Sequence, residues 1–299
     1  MQHTVNRLFY YITLCRPANV ITAMADVLAG VSIALFYGGM ADSGSFYRHT
    51  ALLLMTTAAL YAGGIVFNDF FDADTDRIER PERMIPSGII SKRAAGVFGT
   101  VLFILALICS ALVNNLAVVI AGAIALSALL YDYKSKQHSI AGPLNMGICR
   151  GLNLLLGISL IPGLLKAHWY LGMVPVIYIF AVTTISRDEV HGGQKKNLAI
   201  AFILYLLVFI ILCMVGNDTK VYTGLWLLLP FFIGIMRPLY KAWQNPQAKN
   251  IIGAVKAGVL SIIFLDATWA ALHHQFVICG IILCLLPLSV LLGKYFAVT

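Results

Sequence analysis

Apolar runs of membrane-span length alternate with short polar connections along most of this chain, at about residues 18 to 37, 51 to 68, 96 to 113, 116 to 131, 143 to 164, 169 to 185, 198 to 215, 222 to 237, 251 to 272 and 276 to 293. Each approaches the roughly 20 residues a helix needs to cross the hydrocarbon of a bilayer. The pattern predicts an all-α polytopic membrane protein with nine or ten transmembrane helices. The run at 222 to 237 is short, with Pro230 inside it and Pro238 after it, so it is expected to be broken or only partly spanning. No repeat, low-complexity tract or long linker divides the chain, and residues 1–299 read as a single integral membrane domain.

Composition sharpens this. The chain is 60% apolar and 11% charged, whereas soluble domains carry about 25% charged residues. Short cytoplasmic loops retain Lys and Arg during insertion. With the N-terminus inside, seventeen of the twenty-one basic residues fall on the cytoplasmic side, only Arg48, Lys166 and Lys220 fall outside, and Arg150 lies within a helix. The net charge of +8 is therefore a topology signal, and nucleic acid is not an expected partner, since that needs a basic face on a soluble fold. Arg7 and Arg16 precede a first apolar run that ends without a small-residue cleavage pattern, so a retained helix is expected. The six cysteines show no metal-ligand or redox spacing and read as packed thiols.

Candidate chemistry concentrates in one place. Six of the thirteen acidic residues, Asp69, Asp72, Asp74, Asp76, Glu79 and Glu82, occupy fourteen residues directly after the second apolar run. Carboxylates this close repel one another, which a hard divalent cation relieves. Mg2+ is held by a few carboxylates plus water and phosphate oxygens, so the flanking Arg80 and Arg83 point to a bound diphosphate. If the second helix continues past the membrane, Asp69, Asp72 and Asp76 share one face at i, i+3 and i+7, and Asp74 points elsewhere. Pro81 ends any such helix, and a turn at Pro86 to Gly88 would fold Arg80 and Arg83 back over the carboxylates. A solvated acidic loop is the alternative.

Residues 68 to 88, NDFFDADTDRIERPERMIPSG, resemble the aspartate-rich first motif of the UbiA superfamily of intramembrane prenyltransferases, N-D-x-x-D-x-x-x-D followed by Arg-Pro, Arg and Pro-Ser-Gly, except that Met84 stands where the family usually has Pro. The resemblance implies that Asn68, Asp69, Asp72 and Asp76 bind Mg2+ and a polyprenyl diphosphate, with Arg80 and Arg83 near the phosphates. It also implies a bundle of about nine helices around a central cavity, with two motifs on the cytoplasmic side. The second motif would be SRDEVHGG at 186 to 193, where relatives carry D-x-x-D or D-x-x-x-D. Asp188 takes the first position and joins the metal set, and His191 or Gly192 replaces the second aspartate, depending on alignment. The site then binds one ion more weakly, or His191 binds diphosphate directly when protonated; alternatively Arg187 to His191 cap a helix end. Relatives also begin with Arg-Pro and a nearby Asn lining the cavity, as Arg16, Pro17 and Asn19 do here, and place Tyr and Lys against the diphosphate, as Tyr131, Lys134 and Lys136 would in YDYKSK. SRDEVHGG together with NMGICRGLN most resembles the EboC-like branch.

Three charges, Asp26, Arg150 and Asp266, fall inside apolar runs, where each costs roughly 2.5 to 3.5 kcal/mol on insertion scales and should face the bundle interior. Asn145, Arg150 and Asn153 form a polar stripe, and a permanent guanidinium there suits a diphosphate or acceptor anion, or else pairs with Asp26 or Asp266.

The implied reaction is Mg2+-dependent transfer of a prenyl group from a polyprenyl diphosphate to a small or lipid acceptor, aromatic or hydroxyl-bearing. Asp69, Asp72, Asp76 and Asp188 carry the metal chemistry. The expected location is the cell inner membrane, with the N-terminus and both motifs cytoplasmic. The competing reading of the altered second motif is a protein that binds or transports a prenylated or anionic lipid.

Overall fold

The computed structural model describes residues 2–39, 43–187 and 194–296. All its regular elements are helical among those residues: α1 (Gln2–Leu14), α2 (Pro17–Gly38), α3 (Ser43–Glu79), α4 (Lys92–Ala111), α5 (Asn115–Tyr133), α6 (Ala141–Ile158), α7 (Pro162–His168), α8 (Met173–Ser186), α9 (Lys195–Thr219), α10 (Leu228–Gln244), α11 (Ala248–Leu272) and α12 (Phe276–Tyr295). Short stretches of tighter helix at Ser135–Gln137, Trp169–Gly172 and Tyr222–Leu227 join some of them.

Local chemistry sets the boundaries. Pro17 occupies the first position of α2, where its missing N–H costs nothing. The chain breaks sharply before it, because Arg16 adopts a left-handed conformation with φ 47°. Ser91 caps α4 by accepting a hydrogen bond from the Ala94 N–H at 3.2 Å, and Asn114 caps α5 through the Ala117 N–H at 2.8 Å. The Asn114 amide also donates to the Ser159 carbonyl at 2.8 Å, tying the start of α5 to the end of α6.

Nine segments are long and apolar enough to cross a membrane among the described residues: α2, α3, α4, α5, Pro162–Ser186, α9, Tyr222–Gln244, α11 and α12. The segment α6 lies outside that set, since Asn145, Arg150 and Asn153 lower its hydropathy, yet it packs against α2, α5 and α8. The apolar run predicted at 143 to 164 is therefore divided. Its last residues belong to α7, which Pro162 opens and which starts the next span. The run predicted to break at Pro230 or Pro238 does neither. It begins as the tight turn Tyr222–Leu227, Pro230 sits in the first turn of α10, and α10 continues through Pro238 to Gln244. A first-turn N–H has no intrahelical partner, so Pro230 removes nothing. The N-terminal α1 is an element the apolar runs did not predict; Leu14 is buried while Leu8, Phe9 and Ile12 are exposed.

Two features position the site. First, α3 has 37 residues, which at 1.5 Å per residue is about 55 Å against about 30 Å of hydrocarbon. Its last turns, with the aspartates, thus extend past the apolar zone. Second, α2 runs through the middle of the bundle, packed on α3, α6, α11 and α12. Here α2 and α6 meet backbone to backbone: a Cβ on Gly30 would lie 2.1 Å from the Leu154 carbonyl oxygen, and one on Gly157 2.2 Å from that of Val27. Without a hydrophobic drive between helices in lipid, small residues supply such close packing.

Gly157→Val is expected to cost roughly 1 to 3 kcal/mol or to prevent folding, the range for overpacking a close contact. Gly163→Ala, whose Cβ meets nothing within 4 Å, is expected to stay within about 0.5 kcal/mol of the parent. Thermal unfolding in detergent compares them.

Candidate active site

The aspartates share one face of α3, and cations from three other segments neutralise them. The Arg83 guanidinium lies 2.6 Å from Asp76 Oδ2 and 3.3 Å from Asp69 Oδ1. Asp69 Oδ1 also accepts from Arg16 Nη2 at 2.6 Å. Asp72 is ion-paired with Lys136. Asp69, Asp76 and Arg83 are buried, so these are ion pairs shielded from solvent, where charge-assisted bonds are strongest. Asp74 points away into solvent, 3.0 Å from Lys92 and 3.7 Å from Arg77.

Local folding explains how Arg83 arrives there. Pro81 follows the end of α3, and the chain reverses through Gly88 at φ +78°, a left-handed position that glycine adopts freely. The Ile90 N–H donates to the Met84 carbonyl at 2.9 Å. Ile85 and Ile90 bury against Leu14, Val66, Ala73 and Ala95, with Met84 packed beside them, so this small core pins Arg83 over the carboxylates. Arg80, expected to fold back with it, is exposed and makes no ion pair among the described residues.

Beneath the aspartates is a cavity of about 280 Å³ with walls from α2, α3, α5 and α6. Asn19, Asn68, Tyr131, Arg150 and Asn153 of the residues singled out in the sequence line it, together with Arg16, Thr57, Tyr61 and Asp132. Asn68 donates to Asp132 Oδ1 at 2.9 Å. Asn145 does not reach this space: it is engaged with Ser127 and, at 3.3 Å, with Ser135, joining α6 to α5 and the turn after it. Lys134 is exposed, and the tight turn at Ser135–Gln137 presents Lys136 to Asp72 instead. Arg150 is paired with Asp26 at 3.0 Å, one of the two arrangements expected for an intramembrane guanidinium. Asp188 and His191 lie outside the described residues.

Sequence reasoning had no reason to select Thr57, Tyr61 or Asp132 over their neighbours, whereas Arg16 and Lys136 were named as parts of short motifs. A signal did exist for α3. Thr57, Tyr61, Asn68 and Asp72 recur at spacings of four and seven, a polar stripe along one helical face.

The donor set Asp69, Asp72 and Asp76 is hard oxygen, which suits Mg2+. Among the described residues no three His, Cys, Asp or Glu converge as a metal cage; the carboxylates instead close on Arg16, Arg83 and Lys136. An ion binding here would take over carboxylates that these cations now hold, leaving the cations for phosphate oxygens.

Residues 27–251 match the UbiA prenyltransferase family. The chain belongs to that family. A digeranylgeranylglyceryl phosphate synthase of Methanothermobacter thermautotrophicus is 30% identical over 188 residues, 62% of this chain and 63% of that protein, so the match spans less than two thirds of the relative's length. A solved structure of a digeranylgeranylglyceryl phosphate synthase is 25% identical with a TM-score of 0.66, over 89% of this chain and 99% of that one. The fold is also that of a UbiA homologue from Archaeoglobus fulgidus bound to GPP and Mg2+, 15% identical with a TM-score of 0.64, over 87% of this chain and 99% of that one.

Arg83→Met would leave Asp69 and Asp76 buried with one cation, Arg16, between them. The cost expected is about 3 kcal/mol, the low end for breaking a buried pair. Mg2+ should restore more stability to this variant than to the parent, which thermal unfolding across an Mg2+ titration measures.

Proposed function

We propose that this UbiA-family chain transfers a prenyl group from a polyprenyl diphosphate to an aromatic or hydroxyl-bearing acceptor, with Mg2+ as cofactor. The observation that carries the reading is the matched face of Asp69, Asp72 and Asp76 with Arg16, Arg83 and Lys136, set over a cavity within the membrane bundle. Of the relatives, one homologue is bound to GPP and Mg2+ and others are synthases of a prenylated glyceryl phosphate, which supports the same class of donor here.

In this reading Asp69, Asp72 and Asp76, with Asp188 from the second motif, hold the metal. Bound Mg2+ supplies Lewis-acid neutralisation of the departing diphosphate. The chain's cations do the rest of the anion binding: Arg16, Arg83 and Lys136, released from their carboxylates, turn to phosphate oxygens, with Asn68, Arg80, Tyr131 and His191 around them. The C–O bond to the diphosphate breaks with its electron pair leaving on oxygen, and the allylic carbon bonds to the acceptor, which gives up a proton. The walls from α2, α3, α5 and α6 shield the cation from water until the acceptor attacks.

Residues 1–299 act as one domain in the cell inner membrane, with the N-terminus and both motifs cytoplasmic. The placement of seventeen basic residues on that side supports this orientation.

Incubating the purified protein in detergent with prenyl diphosphates of several chain lengths, with and without Mg2+, tests the reading through thermal stabilisation and diphosphate release. Stabilisation is expected only with Mg2+. Asp72→Asn should lower release by roughly 100-fold, the scale of losing one preorganised group at developing charge. Absence of binding at every chain length would overturn the reading. Stabilisation without diphosphate release in the presence of any acceptor would favour a lipid-binding protein.

A further inference from the structure

The relatives named above are synthases of a phosphorylated product, yet the inner wall of this cavity is not equipped to hold a phosphate. Of the two guanidiniums that line it among the described residues, Arg16 is held by Asp69 and Arg150 by Asp26. Arg150 Nε lies 3.0 Å from Asp26 Oδ2, and the two side chains are 6% and 1% exposed. Arg150 Nη1 reaches Thr22 Oγ1 at 3.4 Å and Nη2 the Thr22 carbonyl at 3.2 Å, so its terminal donors also aim at α2. Asn153 completes the arrangement by donating to Asp26 Oδ2 at 3.0 Å and to the Ala23 carbonyl at 2.6 Å, while accepting from Thr57 Oγ1 at 2.7 Å.

An anion placed against Arg150 would compete with the Asp26 carboxylate for its charge and with Thr22 for its terminal donors. Truncating a buried pair leaves an uncompensated charge, and so does drawing one partner away. Neutral polar groups also face this wall: the Tyr61 hydroxyl, on a ring whose centroid is 5.9 Å from the Arg150 guanidinium, and the Asn19 amide. Asp132, also on the wall, accepts a hydrogen bond from Asn68. Tyr61 and Asn19 are suited to exchange hydrogen bonds with a hydroxyl group or phenol.

We propose that the Arg150–Asp26 pair makes the inner cavity an electroneutral acceptor subsite, one that takes an uncharged hydroxyl or phenol acceptor and rejects its phosphorylated counterpart. Asp26 is then a positioning residue that sets acceptor specificity by neutralising Arg150. The proposal rests on the prenyltransferase reading and refines it.

The test uses two matched acceptor pairs: a glycerol monoprenyl ether with its phosphate monoester, and a 4-alkylphenol with the same phenol carrying a phosphate ester at the end of its alkyl chain. Thermal stabilisation and prenyl transfer are measured in the presence of Mg2+ and a prenyl diphosphate already seen to bind. The neutral member of at least one pair is expected to bind and react at least tenfold better than its phosphate. Asp26→Asn combined with Asp266→Asn, which removes both buried carboxylates that interact with Arg150, should shift that ratio tenfold or more toward the phosphate. The variant that adds Arg150→Met to those two removes every charge of the cluster and should keep the neutral preference, which guards against the first double variant failing to fold. Equal or better use of a phosphorylated acceptor by the parent overturns the proposal, as does loss of neutral binding in a folded triple variant, or binding of neither member of either pair. Failure of the prenyl diphosphate itself to bind would instead overturn the reading beneath it.

Discussion

Carboxylates crowded at a membrane surface have to be neutralised, and the Arg83 guanidinium between Asp69 and Asp76 is where this chain meets that requirement. The consequences spread outward. Arg83 reaches its place only because Pro81 stops α3 and Gly88 turns the chain back, and because Ile85 and Ile90 anchor the returning segment. Arg16 serves the second half of the same demand, and it sits at the sharp left-handed break that separates α1 from α2. Lys136 serves Asp72 from the turn between α5 and α6. Three connections on one side of the bundle thus take their shapes around one acidic helix face.

The bilayer interior imposes the same rule more severely. A single charge inside the bundle has no water to fall back on, so Asp26 and Arg150 must find each other across α2 and α6. That is possible because Gly30 and Gly157 let the two backbones approach until no Cβ would fit between them. Close packing and ion pairing are therefore coupled here: small residues bring the helices together, and the proximity makes Thr22, Ala23 and Asn153 available as partners for the pair. The cavity wall inherits its electrical character from this arrangement.

How much of this was legible in the sequence depends on whether the information is local. Helical spans, their number, the continuation of the second helix through Asp76 and the stop at Pro81 all follow from periodicity and from proline chemistry within one segment, and they appear in the structure. The shared face of Asp69, Asp72 and Asp76 is likewise a property of one helix. Partner choice is different. That Asp72 meets Lys136 rather than Lys134, or that Arg83 folds back while Arg80 stays in solvent, is set by a tight turn and by a small hydrophobic core assembled from α1, α3 and α4. Asp132 was invisible for the same reason, since only the packing of α5 against α3 brings it to Asn68. The boundary between α6 and α7 was misplaced because hydropathy runs smoothly across a turn that backbone geometry alone defines.

The paired state of the acidic face also bears on how such a site can bind a highly charged ligand without coming apart. A divalent ion alone would displace three cations into a region that still holds their positive charge, and a diphosphate alone would be repelled by three carboxylates. Arriving together they would allow an exchange in which carboxylates pass from cations to the metal and the cations pass to phosphate oxygens, so that each charge would find a new partner and none be left buried alone. Such a site would favour the metal–diphosphate complex over either component, because only the pair avoids the penalty that an unpartnered buried charge carries. Selectivity for the complete ligand then follows from electrostatic balance, with no requirement for a preformed metal cage.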